Sequence, residues 1–503
     1  MKRFNAEAQS SQRRRAKRKA KRRKKLNTEV TEGRAQSSPR RKSAQRRKSS
    51  QRRGGSGEGI MGYECCEGVR GLKFSRRYFL KQGGVAMVGL SAMPVFLQRA
   101  AAATPSGGKK QLVVLFQRGA ADGLNIVVPF GEQNYYRMRP SIAIPQPKSG
   151  SRGSGFVLTN PQSNGDAAVD LDGFFGLHPS LAALEPLFHK NQLAIVHAAG
   201  SPDPTRSHFD AQDFMESGTP GLKATEDGWL NRAIESIPEE QASPFRAVAM
   251  GPNLPRMLRG SAPAIALPDV KQFKVMAQNP GAGKIAEGGF EAMYAQTVDQ
   301  ALRGTGTETF EAIDMLRKAD PTKYQPENGA DYPKSRLGQS LQQVGQLIKA
   351  NIGVEVLFVD CGGWDNHVNE GGVQGQLSNL LKDLGQGLAA FHCDMGDRME
   401  NIVFVTMSEF GRTAKENGNR GTDHGHANCM FVMGGDVKGG HVYGKWPGLA
   451  EHQLNEGRDL ALTTDFRTIL GEILTKHVGV PDLAPVFPGF DNNTRKFVGL
   501  IRA

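Results

Sequence analysis

The sequence predicts an α/β fold: a three-layer α/β/α sandwich around a mostly parallel central sheet. Three observations point there. Short apolar runs with strand propensity recur at 112–116 (LVVLF), 193–199 (LAIVHAA), 247–250 (AVAM), 354–360 (VEVLFVD), 402–407 (IVFVTM) and 430–434 (MFVMG). They are apolar at consecutive positions, as strands buried on both faces are. Amphipathic helical patterns alternate with them, and polar, glycine-bearing clusters follow most of them, which is where an open α/β sheet places its ligands.

Taken in order, the chain begins with low-complexity basic stretches, RRRAKRKAKRRKK and RRKSAQRRKSSQRR, without aromatics or apolar periodicity. Residues 1–60 therefore read as a disordered basic extension, or as residues upstream of a true start at Met61. Ser75-Arg76-Arg77-Tyr78-Phe79-Leu80-Lys81, a Gly/Ala-rich apolar segment and Ala101-Ala102-Ala103 follow. This arrangement over 61–103 resembles a twin-arginine export signal with a small-residue cleavage site. The alternative is an uncleaved membrane anchor, but residues 82–97 are too few and too glycine-rich to span a bilayer comfortably. The expectation is export through the twin-arginine translocase to a periplasmic or secreted location, with no stable membrane span after cleavage.

The mature body is residues 104–503. Helices are expected at Ser180–His189, Ser335–Ala350, Val373–His392 and Asp465–His477, the last with Thr464 as N-cap. Residues near 252–330, rich in Gly, Pro and Gln, read as an irregular insertion. The Gly-rich MGGDVKGGHVYGKW lacks the lysine and hydroxyl pattern of a nucleotide-phosphate loop and reads as a hairpin near the site.

The formal charge of +15 resides in the leader. Residues 1–103 carry 28 of 65 Lys/Arg and 6 of 50 Asp/Glu, leaving 37 basic and 44 acidic residues in a mildly acidic body. Nucleic acid is therefore not an expected partner of the mature chain. Cys361, Cys393 and Cys429, all that remain after the leader, are too widely spaced for a disulfide framework or a C-x-x-C zinc site and read as small apolar residues.

The strand ends carry the chemistry. Arg118, Asp122 and Asn125 follow the first run; Asp203, Thr205, Arg206, Ser207, His208 and Asp210 follow the second; Asp365 and His367 follow VEVLFVD; and SEFGRTAKENGNRGTDHGHAN (408–428) follows IVFVTM. Asp365 and His367 are two apart, as are His424 and His426. In extended backbone each pair projects to one side and can meet one ion. Mixed carboxylate and imidazole donors suit zinc, manganese or iron, whereas oxygen-only sets suit calcium or magnesium. Asp423 can instead hold a histidine ring from behind. Any single histidine here is explained as simply by a structural hydrogen bond; four polar strand ends together favour a shared site.

Other residues have plainer readings. His178 caps or packs at a helix start, Phe209, Phe214 and Met215 form a core stripe, His208 lines the pocket or faces solvent, and Trp364 and Trp446 pack loops or stack on a sugar.

The blocks RGAADGLNIVVPF, FFGLHPSLAAL, GSPDPTRSHFDAQDFMESG, GWDNHVNEG, SEFGRTAKENGNRGTDHGHAN and GGHVYGKWPGL resemble, over almost all of 110–500, the domain of unknown function 1501 family of exported bacterial proteins. That group is similar, distantly, to the alkaline phosphatase and sulfatase superfamily. The resemblance implies metal-assisted attack on a phosphate or sulfate ester. Asp122, Asp365, His367, Glu409 and His424 or His426 would hold one or two divalent ions, zinc or manganese, with calcium or magnesium less suited. Thr205 or Ser207 would be the nucleophile, or a metal-bound water in its place, and Arg206 or Arg412 would grip the anionic group. Two positions depart from the superfamily pattern: Phe410 stands where a ligand histidine would follow the acidic residue, and Pro202 stands where a sulfatase has its modified cysteine. The functional expectation is an exported metal-dependent ester hydrolase acting on a small or polymeric anionic substrate. The alternative is a non-catalytic envelope protein of the same fold, binding a partner or an anionic polysaccharide.

Overall fold

The computed structural model describes residues 109–147, 166–223, 225–237, 243, 245–270 and 323–502. The basic extension, the twin-arginine segment and positions 271–322 of the expected insertion lie outside the described residues.

The chain is α/β. Nine strands form one sheet, in the order β11-β5-β10-β9-β1-β8-β6-β7 with β12 also on β5. They are β1 (Gln111–Arg118), β5 (Leu193–Gly200), β6 (Ala247–Met250), β7 (Ile265–Leu267), β8 (Val356–Gly362), β9 (Ile402–Met407), β10 (Asn428–Gly434), β11 (Val442–Tyr443) and β12 (Thr464–Asp465). A smaller antiparallel sheet holds β2 (Val127–Val128), β3 (Val169–Asp170) and β4 (Gly176–Leu177).

Strand alternation divides the core in two. Val113 and Leu115 of β1 join one cluster, with Leu341 and Val344 of α3 (Arg336–Lys349) and Leu381 and Leu388 of α4 (Gln376–Met395). Leu112, Val114 and Phe116 face the opposite cluster, with Met215 of α1 (His208–Ser217), Trp229 of α2 (Trp229–Glu235) and Leu470 of α5 (Phe466–Ile473). Every residue of β1, β5 and β9 is buried except Arg118, which is why these segments read as largely apolar runs. Each such buried Leu or Val contributes roughly 1.5–3 kcal/mol.

Helix ends follow local chemistry. Ser335 caps α3, its Oγ accepting from Gly338 N at 2.9 Å. At α5 the cap is Asp465 rather than Thr464: its carboxylate accepts from Arg467 N at 2.9 Å. The helix expected at 180–189 is a 3-10 turn at Pro179–Leu184 followed by a short helix at Glu185–His189, because Pro186 cannot donate within a continuous helix.

Strand direction places the site. β1 runs parallel to β8 and β9, whereas β10 runs antiparallel to both β5 and β9. The carboxyl ends of β1, β5, β8 and β9 therefore share an edge with the start of β10, where Asn428 pairs with Ala199. The Gly-rich 433–446 segment is a crossover instead of a hairpin near this edge. It leaves β10 at the opposite end of the sheet and enters β11 beside Ile195 and Val196.

Candidate metal centre

Three of these strand ends deliver side chains to one point. After β5 the chain turns through 201–207, Ser207 caps α1, and His208 is the first helical residue. After β8 a tight loop places Asp365 and His367 two residues apart. After β9 the chain folds back on itself: Gly411 N donates to His426 O and Gly425 N to Gly411 O, each at 2.8 Å. Arg412 and His424 pair as an isolated antiparallel bridge. Glycine is required between the two histidines, since a Cβ on Gly425 would fall 2.3 Å from the Arg412 carbonyl.

His424 Nε2 lies 3.0 Å from His208 Nε2 and 2.9 Å from His367 Nε2. Asp365 Oδ1 lies 3.0 Å from His367 Nε2, 3.4 Å from His424 Nε2 and 3.6 Å from His208 Nε2. The partners on the far side of each ring decide where its proton sits. His208 Nδ1 faces Glu409 Oε1 at 2.8 Å, His367 Nδ1 faces Asp423 Oδ1 at 3.1 Å, and His424 Nδ1 faces the Arg206 carbonyl at 2.8 Å. All three partners only accept, so each neutral ring carries its hydrogen on Nδ1 and turns a bare Nε2 lone pair inward.

Three lone pairs and a carboxylate oxygen thus face one another, an arrangement that repels without positive charge between them. An extra proton relieves one pair; a divalent cation relieves all four at once. Donor atoms bound at ~2.0–2.1 Å in a tetrahedron stand roughly 3.3 Å apart, within the spread of separations seen here. His208, Asp365 and His424 offer donor atoms mutually within 4.8 Å, and His367 meets two of these atoms. The residues present fit a borderline transition metal such as zinc or manganese.

The surroundings hold these donors in place. Glu409 is fully buried and accepts from Gly119 N at 2.8 Å and Gln212 Nε2 at 2.9 Å as well as from His208. Burial would raise its pKa, but the bonds from His208, Gln212 and Gly119 outweigh it and keep the carboxylate ionised. In return the Glu409 hydrogen bond raises the pKa of His208, against desolvation. Asp365 is partly exposed. Burial works to raise its pKa, and Arg412 at 2.6 Å, then His367 and His208, pull it below the usual carboxylate range. Burial lowers the pKa of His424, and the charges of His208 and Arg412 push the same way.

The site-residue expectations divide into those the fold gathers and those it places elsewhere. Asp365, His367 and His424 converge as donors. Glu409 and His208 exchange the roles expected of them: the histidine points a lone pair into the centre, and the glutamate stands behind it. Asp423 backs His367. Asp122 is not brought into the cluster; both its carboxylate oxygens bind Arg139, a fully buried guanidinium that also reaches Asn125 and the carbonyls of Thr413 and Ala414. Glu370 lies against this pair, its pKa raised by burial first and the Asp122 charge second. His426 sits instead beside Asp459 and Arg206, with burial lowering its pKa.

Neither nominated arginine is free to grip an ester. Arg206 is bound by Asp459 at 2.6 Å and Glu456 at 2.7 Å. Arg412 is buried and spends its donors on Asp365 and the carbonyls of Gly119, Ala120, Trp364 and Thr422. Thr205 Oγ1 accepts from Ser207 N at 3.3 Å, and Ser207 Oγ accepts from Asp210 N at 3.5 Å as the helix cap. Of the residues given plainer readings, His178 does cap its turn, accepting from Ser180 N at 3.0 Å. Trp364 is buried and Trp446 packs on Phe174, Phe175 and His197. Phe214 and Met215 are buried, but Phe209 is 89% exposed.

Gln212, Arg139, Glu370 and Asp459 went unrecognised as supports. Only Gln212 carried a signal, standing one helical turn after His208 on the same face.

A family model described as "Protein of unknown function (DUF1501)" matches residues 109–485. No curated protein matches the chain.

Proposed function

The chain belongs to the DUF1501 family, whose description names no reaction, and from the site its fold builds we propose that it is an exported, divalent-metal-dependent hydrolase of phosphate or sulfate esters. One observation carries the reading: three histidines, each with its Nδ1 held by an acceptor, turn Nε2 lone pairs toward one carboxylate oxygen. His208, His367, His424 and Asp365 would hold the ion. A bound zinc or manganese supplies Lewis acidity, lowering the pKa of a coordinated water and neutralising charge on an ester oxygen.

The chain's own groups divide the remaining work. Glu409, Asp423 and the Arg206 carbonyl orient the three rings, and Arg412 fixes Asp365. Water is favoured over a side-chain hydroxyl as the attacking group, because Thr205 and Ser207 are engaged with local backbone. The substrate's anionic oxygens would meet the ion rather than a guanidinium, since Arg206 and Arg412 are already spent.

A second reading rests on the donor count. Four protein donors fill a tetrahedral ion, and closed tetrahedral sites are structural. With such an ion the protein would be a non-catalytic envelope protein that binds a partner or an anionic polysaccharide.

The test is metal content by inductively coupled plasma mass spectrometry of the full chain purified without chelator, beside Asp365→Ala/His367→Ala, followed by assays on aryl phosphates and sulfates. About one ion per chain, absent from the double variant, with metal-dependent ester cleavage, supports the hydrolase. Metal without cleavage transfers support to the binding role. No metal in either protein after zinc or manganese is supplied refutes both the centre and the hydrolase.

A further inference from the structure

His424 faces each of the other donors, and the structure grips it from a segment that contributes no donor. Asp459 is fully buried. Its Oδ2 accepts from Arg206 Nη2 at 2.6 Å and Nε at 3.3 Å, and its Oδ1 accepts from Arg458 Nε at 2.9 Å. Both arginines continue to His424. The Arg206 carbonyl accepts from His424 Nδ1 at 2.8 Å, and Arg458 Nη2 donates to the His424 carbonyl at 2.6 Å. Glu456 adds a second carboxylate on Arg206 at 2.7 Å, and Asp459 pairs as a bridge with Thr413, next to the Arg412–His424 bridge.

We infer that Asp459 is a positioning residue that, through Arg206 and Arg458, fixes the ring orientation and tautomer of His424. The inference deepens the metal-centre reading and draws its functional relevance from it. A buried carboxylate carrying two guanidiniums could serve only to tie loops together. What argues for more is that both arms end on the same histidine, one on its side chain and one on its backbone. The Arg206 carbonyl accepts only, so while it stays in place His424 keeps its hydrogen on Nδ1 and its lone pair on Nε2. Arg206 reaches Asp459 across 253 residues, so the carbonyl's position depends on a partner remote in sequence.

The tautomer can be read without any ion. In the full chain labelled with nitrogen-15 histidine and held free of metal, two-bond nitrogen–hydrogen spectra report which ring nitrogen is protonated. His178 and His197 are built-in controls. Each accepts at Nδ1 from a backbone N–H, at 3.0 and 2.9 Å, and donates from Nε2 to a carbonyl, so both hold the opposite tautomer. In Asp459→Asn the expected result is that His424 loses its single Nδ1–H form while His178 and His197 are unchanged. Affinity for zinc or manganese should fall with it, by about 10–100-fold. His424 keeping the parent pattern in Asp459→Asn overturns the inference. Should that variant fail to fold, Arg206→Ala decides, because it keeps the backbone carbonyl but removes the guanidinium that ties it to Asp459: an unchanged His424 signal there overturns it equally. A parent protein with these tautomers that takes up no ion refutes the metal centre and leaves the positioning role standing.

Discussion

Exchanging Glu409 for Gln isolates the charge behind His208 from the shape of the site. The glutamate Oε1 accepts from three donors, Gly119 N, Gln212 Nε2 and His208 Nδ1, all within 2.9 Å. A glutamine oxygen can take that place. Its amide nitrogen then occupies the Oε2 position, where Ser408 Oγ stands 3.1 Å away and can accept while giving its own hydrogen to the Gln117 carbonyl. The three donors on Oε1 all keep their acceptor, so the main change is the hydrogen bond to His208, from charge-assisted to neutral. Hydrogen bonds to charged groups are worth about 1.5–3 kcal/mol and neutral ones about 0.5–1.5, a difference of roughly 1–1.5 kcal/mol. The ring also becomes a weaker base toward an ion.

The expected outcome is a 10–100-fold loss of zinc or manganese affinity, about 1.4–2.7 kcal/mol, with little change in the thermal midpoint of the metal-free protein. Glu409→Ala should behave differently: it leaves three donors unpaired at about 1–3 kcal/mol each and should destabilise the fold itself. Competition against a chromophoric chelator at pH 7.5 measures the affinities, and calorimetry of the metal-free proteins measures the midpoints. Parent-like affinity in Glu409→Gln would refute the argument that the carboxylate tunes a metal-binding histidine.

Two further expectations concern pH. His178 and His197 are buried with pKa values lowered to about 4, chiefly by desolvation. Between pH 6.5 and 4 the unfolded chain therefore binds more protons than the folded one, and their contribution, complete above pH 6.5, is lost on acidification. At pH 5.5 this amounts to about 1.4 kcal/mol for each histidine, so urea unfolding at pH 7.5 and 5.5 should differ by roughly 2–3 kcal/mol from this pair; a difference near zero would contradict their neutral burial. For metal binding the order is reversed, because the raised pKa of His208 lets a proton compete early. Affinity should begin to fall above pH 6.5 as the solution is acidified, and isothermal titration showing no loss down to pH 5.5 would exclude His208 as a donor.

The strands that carry the site were legible because burial on both faces leaves few polar residues inside the run, as in β1, β5 and β9, where His197 of β5 and Thr406 of β9 are exceptions. Their convergence was legible because ligands gather where parallel strands end. The roles at that edge were not. Whether His208 or Glu409 meets the ion depends on which side of the imidazole the carboxylate lies, and spacing along the chain is silent on that. The arginines misled for a related reason: a guanidinium near an anion site looks the same in sequence whether it is free or, like Arg412, saturated by carbonyls from three loops. Asp122 read as a ligand because its partner, Arg139, belongs to a different short helix end. The short strands β7, β11 and β12 are set by pairing with neighbours and carry little pattern of their own.

The donors of this centre enter the chain far apart: His208 and His424 are separated by 216 residues, and His367 and His424 by 57. No fragment shorter than residues 208–424 contains them all, and no local turn can bring two of the distant ones together. An ion would therefore find its partners only after the sheet has closed, and cannot act as the seed around which the chain collapses. Uptake of metal would then be a checkpoint for completed folding, and a pulse of a coloured transition metal during refolding would time the last docking step rather than the first.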